Sequence, residues 1–361
     1  MTTLPAPSQV KRIACLMLGA IGDFIVTTPT QQALRAAYPD ARITLVMREA
    51  QRGLAEGSPW IDEILPLRSS AWGRLALPAA LWMRRWDLWV DLHVPTFNTF
   101  GTNTHVFRRN AVLMRAARAR FRLAFDDPAL AAGLTHPVAT PSMDEMALEN
   151  IAVTTRRLLP GATPSALRKS LPPRRAEAVA AVERLLAAEG ALDAPLVSVF
   201  FGSNQPSGVW PYERVLEFCR RLPGRFPGFR FALLGGPNER VAVDRLHGDI
   251  GALFPPLIDL TARLTLSETA AVMARSRAVV ATDSGPMHMA DAVGAPLVAL
   301  FGAKNPMPLW LPLAPEARVI THDVPCAGCL RNVCDRENLC MSLITEDEVL
   351  SALHDAVGVP A

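Results

Sequence analysis

Short apolar runs bounded by glycine, proline or charge recur along the chain, and between them lie stretches whose apolar positions fall three and four apart. The first run, residues 13–18 (IACLML), ends at Gly19; Ala33, Leu34, Ala37 and Tyr38 follow at helical spacing, Pro39 and Asp40 interrupt, and residues 43–47 (ITLVM) form a second run. Strand, helix, strand in that order predicts a parallel sheet. Similar runs stand at 88–92 (LWVDL), 196–201 (LVSVFF), 231–234, 278–281 and 297–301, several with helix-like segments between them. Two doubly wound α/β halves fit this alternation. The segment 160–173 is too rich in proline and glycine for a core element and is the expected linker, followed by a helix over 175–189. The tail, 344–357, has a helical pattern with Glu346 and Glu348 near its start.

A length of 361 residues, 50% hydrophobic and 20% charged, suits two domains with a core each. The opening MTTLPAPSQV lacks the basic-then-apolar layout of a secretory signal, and no run approaches eighteen apolar residues, so the expectation is a cytoplasmic protein without a membrane span. The formal net charge of +3 is too small to argue for a nucleic-acid partner, but its distribution is uneven. Between His105 and Leu123 lie Arg108, Arg109, Arg115, Arg118, Arg120 and Arg122 with no acidic residue. Such a run is either a solvated basic face or a surface that meets phosphorylated or membrane-borne substrate.

Two glycine turns carry candidate chemistry. In LMLGAIGDFI, Gly19 and Gly22 bracket a strand-to-helix turn, yet the spacing is neither that of a dinucleotide fingerprint nor that of a P-loop. Asp23 beside it is either a helix cap or a general base at the carboxyl end of a strand, and its charge disfavours a phosphate at the same helix start. In VVATDSGPMHMADAVGAPLVALFG, a strand leads through a polar turn at Asp283 to Pro286 into a helix ended by Gly294. Ser284 and Gly285 there offer hydroxyl and amide donors to a phosphate, Asp283 suits sugar hydroxyls, and His288 can donate to an anion; capping and a structural histidine are the plainer alternatives.

Taken in order, LGAIGDFIVTTPTQQALRAAYPDARITLVM, WVDLH, WPYERVLEFCRRL, LLGGPNE and ATDSGPMHMADAVGAPLVALFG resemble the lipopolysaccharide heptosyltransferases of glycosyltransferase family 9, over residues 12 to 350. The resemblance implies a GT-B fold: two Rossmann-like domains, 1–172 for the acceptor and 173–342 for the nucleotide sugar, facing a cleft, with 343–361 a helix crossing back to the first domain. It implies an inverting transfer of heptose from ADP-heptose to a lipopolysaccharide core acceptor without a catalytic metal, with Asp23 as the base. Donor contacts are expected at Ser203, Asp283, Ser284, Gly285, Pro286, Met287 and His288. Acceptor contacts are expected at Gly19, Gly22, His93, Thr96, Asn98 and Arg122, partly on the polar stretch DLHVPTFNTFGTNTH, which mixes hydrogen-bonding and aromatic side chains as sugar binders do. The lipid-borne acceptor implies peripheral association with the inner membrane.

One position departs from the family. Members usually carry a phosphate-contacting lysine two residues before the pair matching Trp210 and Pro211, where this chain has Gly208. Lys304, in FGAKNP, is the candidate replacement cation. The departure keeps a second function class open, a degenerate nucleotide-sugar-binding or assembly protein without efficient turnover; an NAD-dependent oxidoreductase lacks its fingerprint. Finally, Cys326, Cys329, Cys334 and Cys340 have a C-x2-C-x4-C-x5-C spacing that would let four thiolates hold a structural zinc or iron, with reduced free thiols the alternative.

Overall fold

The apolar runs form two separate parallel sheets. The structure, a computed structural model, describes residues 4–94, 104–142, 144–145, 152–161, 168–251, 257–304 and 310–358. The chain divides into two compact units, Met1–Pro173 and Arg174–Ala361.

In the first unit, β1 (Arg12–Met17), β2 (Arg42–Arg48), β3 (Glu63–Leu67), β4 (Leu88–Asp91), β5 (Phe121–Phe125) and β6 (His136–Val138) lie in the order β3-β2-β1-β4-β5-β6, all pairs parallel. Cys15 of β1 sits beside Leu45 of β2 and Val90 of β4, so the central strands bury both faces and read as unbroken apolar runs. The sheet is followed from β1 by α1 (Ile21–Val26) and α2 (Thr28–Ala37), and later by α3 (Ala71–Trp82) and α4 (Thr104–Ala117). The last two pack on each other around Leu77, Leu81, Phe107 and Met114.

In the second unit, β7 (Leu196–Phe200), β8 (Arg230–Leu233), β9 (Leu257–Asp259), β10 (Ala278–Thr282), β11 (Leu297–Leu300) and β12 (Arg318–Ile320) take the order β12-β11-β10-β7-β8-β9. Counted from its own first strand this is the same 3-2-1-4-5-6 winding as in the first unit, the dinucleotide-type arrangement whose order reverses between strands 1 and 4. The helix expected to return to the first domain, Glu346–Val357, buries Val349, Leu350, Leu353 and Val357 in the core of the second unit beside helix Tyr212–Arg225. Thr345 and Glu348 form its capping box, and the Trp210 indole N–H donates to the Ile344 carbonyl at 3.0 Å. Cys15 and Cys219 are wholly buried, and burial pushes the Cys219 thiol up to about 12, which makes it an inert core residue. Among the described residues no helix is long and apolar enough to cross a membrane.

Candidate functional site

The carboxyl ends of β1, β2 and β4, the three central strands of the first sheet, surround a cavity of about 270 Å³ lined in part by Gly19, Asp23, Thr27, Arg48 and His93. It lies where the strand order reverses, the place at which open parallel sheets bind ligands. Asp23 is the third residue of α1 rather than the residue before it. Its carboxylate turns back so that Oδ2 accepts the Ala20 amide at 2.6 Å, capping the helix from within its first turn. Gly19 follows from this geometry: a Cβ there would stand 2.5 Å from both Cβ and Oδ2 of Asp23. Gly22, by contrast, is inside α1 and is not one of the lining residues.

Burial raises the pKa of Asp23, and the Ala20 amide, His93 and Arg48 oppose the rise. A carboxylate held above its usual range and exposed to a cavity suits proton abstraction better than an ordinary surface aspartate.

The turn that carries Asp23 is pinned from three sides. Arg48 Nε donates to the Leu18 carbonyl at 2.7 Å, Gln51 Nε2 to the Gly19 carbonyl at 2.9 Å, and the Leu18 amide donates to His93 Nε2 at 3.2 Å. Because Nε2 accepts, the ring proton is assigned to Nδ1, which lies 2.6 Å from Oδ1 of the fully buried Asp91. Asn110 of α4 donates to the other Asp91 oxygen at 2.9 Å, and Arg109 in turn donates to Asn110 Oδ1. Sequence reasoning did not single out Arg48, Asp91 or Asn110 as site residues. Asp91 had one available signal, an aspartate inside an otherwise apolar strand, which must find partners once buried.

Of the other expected acceptor residues, Arg122 is not brought to this cavity. It sits at the amino-terminal half of β5, where its side chain donates to the carbonyls of Gly133 and Ala119. Thr96 and Asn98 lie outside the described residues.

The second unit repeats the arrangement with different chemistry. Ser203 follows β7, Asp283 and Ser284 follow β10, and Lys304 follows β11, three neighbouring strands of the sheet. Ser284 is the N-cap of helix Gly285–Val293, but its hydroxyl donates to the Thr282 carbonyl at 2.9 Å and no side chain caps the helix. No acidic residue occupies the first turn, and since Pro286 has no N–H, the orphan amides there belong to Gly285 and Met287. The Met287 and His288 side chains are buried, so Met287 can present only its backbone outward. Gly294 ends the helix in the left-handed conformation, φ 72°.

Lys304 is 4% exposed, and its ammonium donates to Gln205 Oε1. Burial lowers its pKa while Asp283 opposes the drop. A Cβ on Gly208 would lie 2.8 Å from Ser203 Oγ and 3.1 Å from Lys304 Nζ. The ammonium of Lys304 therefore fills the space beside position 208.

The four clustered cysteines are free thiols. Among the described residues no group of three or more His, Cys, Asp or Glu side chains is placed to hold a metal ion. Cys340 is buried with its sulfur against Gly302, Cys334 Sγ accepts the Arg336 amide, and the chain between them turns through left-handed Glu337 and Asn338. The short helix Leu339–Ser342 packs Cys340 into the core of the second unit, and Cys326 is partly buried against the same core.

The model of glycosyltransferase family 9 (heptosyltransferase) matches residues 108–340. The chain belongs to that family. Among its heptosyltransferase relatives, lipopolysaccharide heptosyltransferase 1 of Campylobacter coli is 21% identical over 96% of this chain and 99% of its own length. Two solved structures share the fold: the family 9 glycosyl transferase of Veillonella parvula (TM-score 0.77, 22% identity, 96% of this chain and 97% of that one) and the E. coli ADP-heptose LPS heptosyltransferase II (TM-score 0.74, 20% identity, 96% and 98%). The fold is thus the GT-B class of heptosyltransferases, and the protein is a glycosyltransferase by family.

Proposed function

We propose that this heptosyltransferase moves a heptose from ADP-heptose to a lipopolysaccharide core acceptor with inversion and without a catalytic metal. The observation that carries the reading is Asp23: a carboxylate with a raised pKa on the wall of the switch-point cavity, in a turn pinned by Arg48, Gln51 and the Asp91–His93 pair. The acceptor hydroxyl gives its proton to an Asp23 oxygen while its own oxygen bonds to the anomeric carbon of the donor. The bond from that carbon to the diphosphate oxygen breaks, and its electron pair leaves on ADP.

The leaving diphosphate is assigned to the second unit. There the uncapped amides of Gly285 and Met287, the Ser284 and Ser203 hydroxyls and the Lys304 ammonium supply donors and positive charge, while Asp283 is left for donor hydroxyls. Asp23 and this turn divide the work, because an acid at the start of α1 repels phosphate and the helix after β10 has no such acid. With a membrane-borne acceptor, the reaction belongs at the cytoplasmic face of the inner membrane.

The alternative, a nucleotide-sugar binder without turnover, draws on Gly208; the position of Lys304 beside it favours a relocated cation over a lost one. Incubation with ADP-heptose and heptose-deficient lipopolysaccharide core, followed by mass spectrometry, is expected to show an added heptose with wild type and none with Asp23→Asn. Donor binding with no product from wild type would leave the binder reading standing.

A further inference from the structure

Helix α3 breaks the usual division of a surface helix into an apolar inner and a charged outer face. Gly73, Leu77 and Leu81 face the core, as expected. On the outer side Trp72, Leu75, Ala76, Ala79, Trp82 and Met83 recur three and four apart and are all exposed. Trp72 is 84%, Leu75 69%, Trp82 60% and Met83 71% exposed, a contiguous stripe of large apolar side chains. Val112 on the neighbouring α4 is exposed as well, whereas Val241, Val333 and Leu343 are exposed large apolar residues in separate segments, as is ordinary on a protein surface. A stripe with two tryptophans on one exposed helix face is different in kind and marks an interaction surface.

The charges around the stripe indicate the partner. Helix α4, packed against α3, presents Arg108 and Arg115 outward, and the Arg118 guanidinium lies 5.9 Å from the Trp82 ring centroid. No acidic residue occurs from 64 to 86 or from 92 to 125, and between these stretches Asp91 is buried and Asp87 Oδ2 accepts the amides of Lys11 and Arg12. Arg84 pairs with Glu63 and Arg68 with Glu49 at the edge, whereas Arg85, Arg108, Arg115 and Arg118 have no carboxylate partner among the described residues. Two copies meeting through this face would bring arginines against arginines, which disfavours self-association.

We propose that the α3–α4 face docks the protein on an anionic lipid bilayer. Trp72, Leu75, Trp82 and Met83 insert at the headgroup level, where tryptophan is favoured, and Arg108, Arg115 and Arg118 lie against lipid phosphates. The inference does not rest on the sugar or acceptor assigned above. It adds an apolar anchor to the arginine run noted in the sequence, so binding has a component that salt does not screen.

The full chain is floated with vesicles of phosphatidylcholine alone or with about 30% phosphatidylglycerol, none carrying glycan, so the outcome is separate from that of the transfer assay. Expected are binding at least about tenfold stronger to the anionic vesicles, a fall of about tenfold between low and high salt, and a blue shift of tryptophan fluorescence on binding. Trp72→Ser/Trp82→Ser is expected to lose about tenfold or more and the blue shift. Arg108→Glu/Arg115→Glu is expected to abolish the anionic preference. Leu75→Ser, a smaller surface change, is expected to weaken binding in the same direction. Undiminished binding by the tryptophan and Leu75 variants, or no binding by wild type, overturns the proposal. A concentration-dependent dimer by light scattering that the tryptophan variant abolishes would instead assign the face to a second copy.

Discussion

The two units wind their strands in the same order, yet the turns at their switch points have opposite electrostatic character. After β1 the chain enters α1 with an acid in its first turn, and the carboxylate uses the helix's own N-cap amide. At the matching reversal after β10, the helix starts with Ser284-Gly285-Pro286, carries no acid in its first turn and is left uncapped. One helix start carries a carboxylate that disfavours anions; the other carries no acid in its first turn and leaves amide donors uncapped. The fold decides where a ligand can sit, and a few residues in the turn decide what charge it has.

The largest test of this contrast is Asp23→Asn. Loss of the base is expected to lower kcat by about 10²–10⁴-fold while ADP-sugar affinity, measured by calorimetry, stays at the wild-type level. Retained turnover would reduce Asp23 to its capping role and erase the functional difference between the turns. Next in size is Lys304→Ala, expected to weaken donor binding by about 10- to 100-fold, the range for a charge-assisted contact to phosphate, with little effect on acceptor KM. Unchanged donor affinity would remove Lys304 from the anion side.

Smaller effects concern the tuning of the base. Burial raises the Asp23 pKa and Arg48 opposes the rise, so turnover is expected to increase with pH as Asp23 ionises, above the ordinary aspartate range. Arg48→Gln should move that rising limb to higher pH in a kcat/KM profile; a limb that stays in place would dissociate Arg48 from the base.

The smallest effect is on stability. A folded-state pKa above the unfolded one means that the folded protein binds the Asp23 proton more tightly, so this contribution is fully present below the unfolded pKa and is lost as pH rises through the raised value. Asp23→Asn keeps an oxygen for the Ala20 amide without carrying that charge. At neutral pH its Tm is expected to rise, on the order of 1 °C, even as activity falls. A lower Tm would show that the charge itself stabilises the turn.

Seven strands could be read along the chain to within a residue or so, and most of their residues are buried: β1, β2, β4, β7, β8, β10 and β11. The outer strands left weaker patterns, since β12 is only partly buried along its three residues and β6 has an exposed proline between His136 and Val138. Helix α1 was hidden for another reason, its six residues being too few to show a period before Thr27 separates it from α2. Asp23, Asp283 and Ser284 stood out in the sequence because each lies in a turn between an apolar run and a helix. Asp91 and Asn110 did not, because their roles exist only through contacts between distant parts of the chain.

By itself the sequence determined the two parallel sheets, the glycine turns after their strands and the kinship that names the chemistry, because apolar periodicity and turn residues act over a few neighbouring positions. Only the tertiary structure decided that Asp23 caps and faces a cavity at once, that His93 reaches 75 residues back to the Leu18 amide, and that Lys304 fills the space beside Gly208. It also set Cys340 against Gly302 and left Trp72 and Trp82 exposed on one face of α3. Each of these depends on the direction in which a side chain leaves its backbone and on what a distant segment places opposite it, and neither is encoded in spacing along the chain.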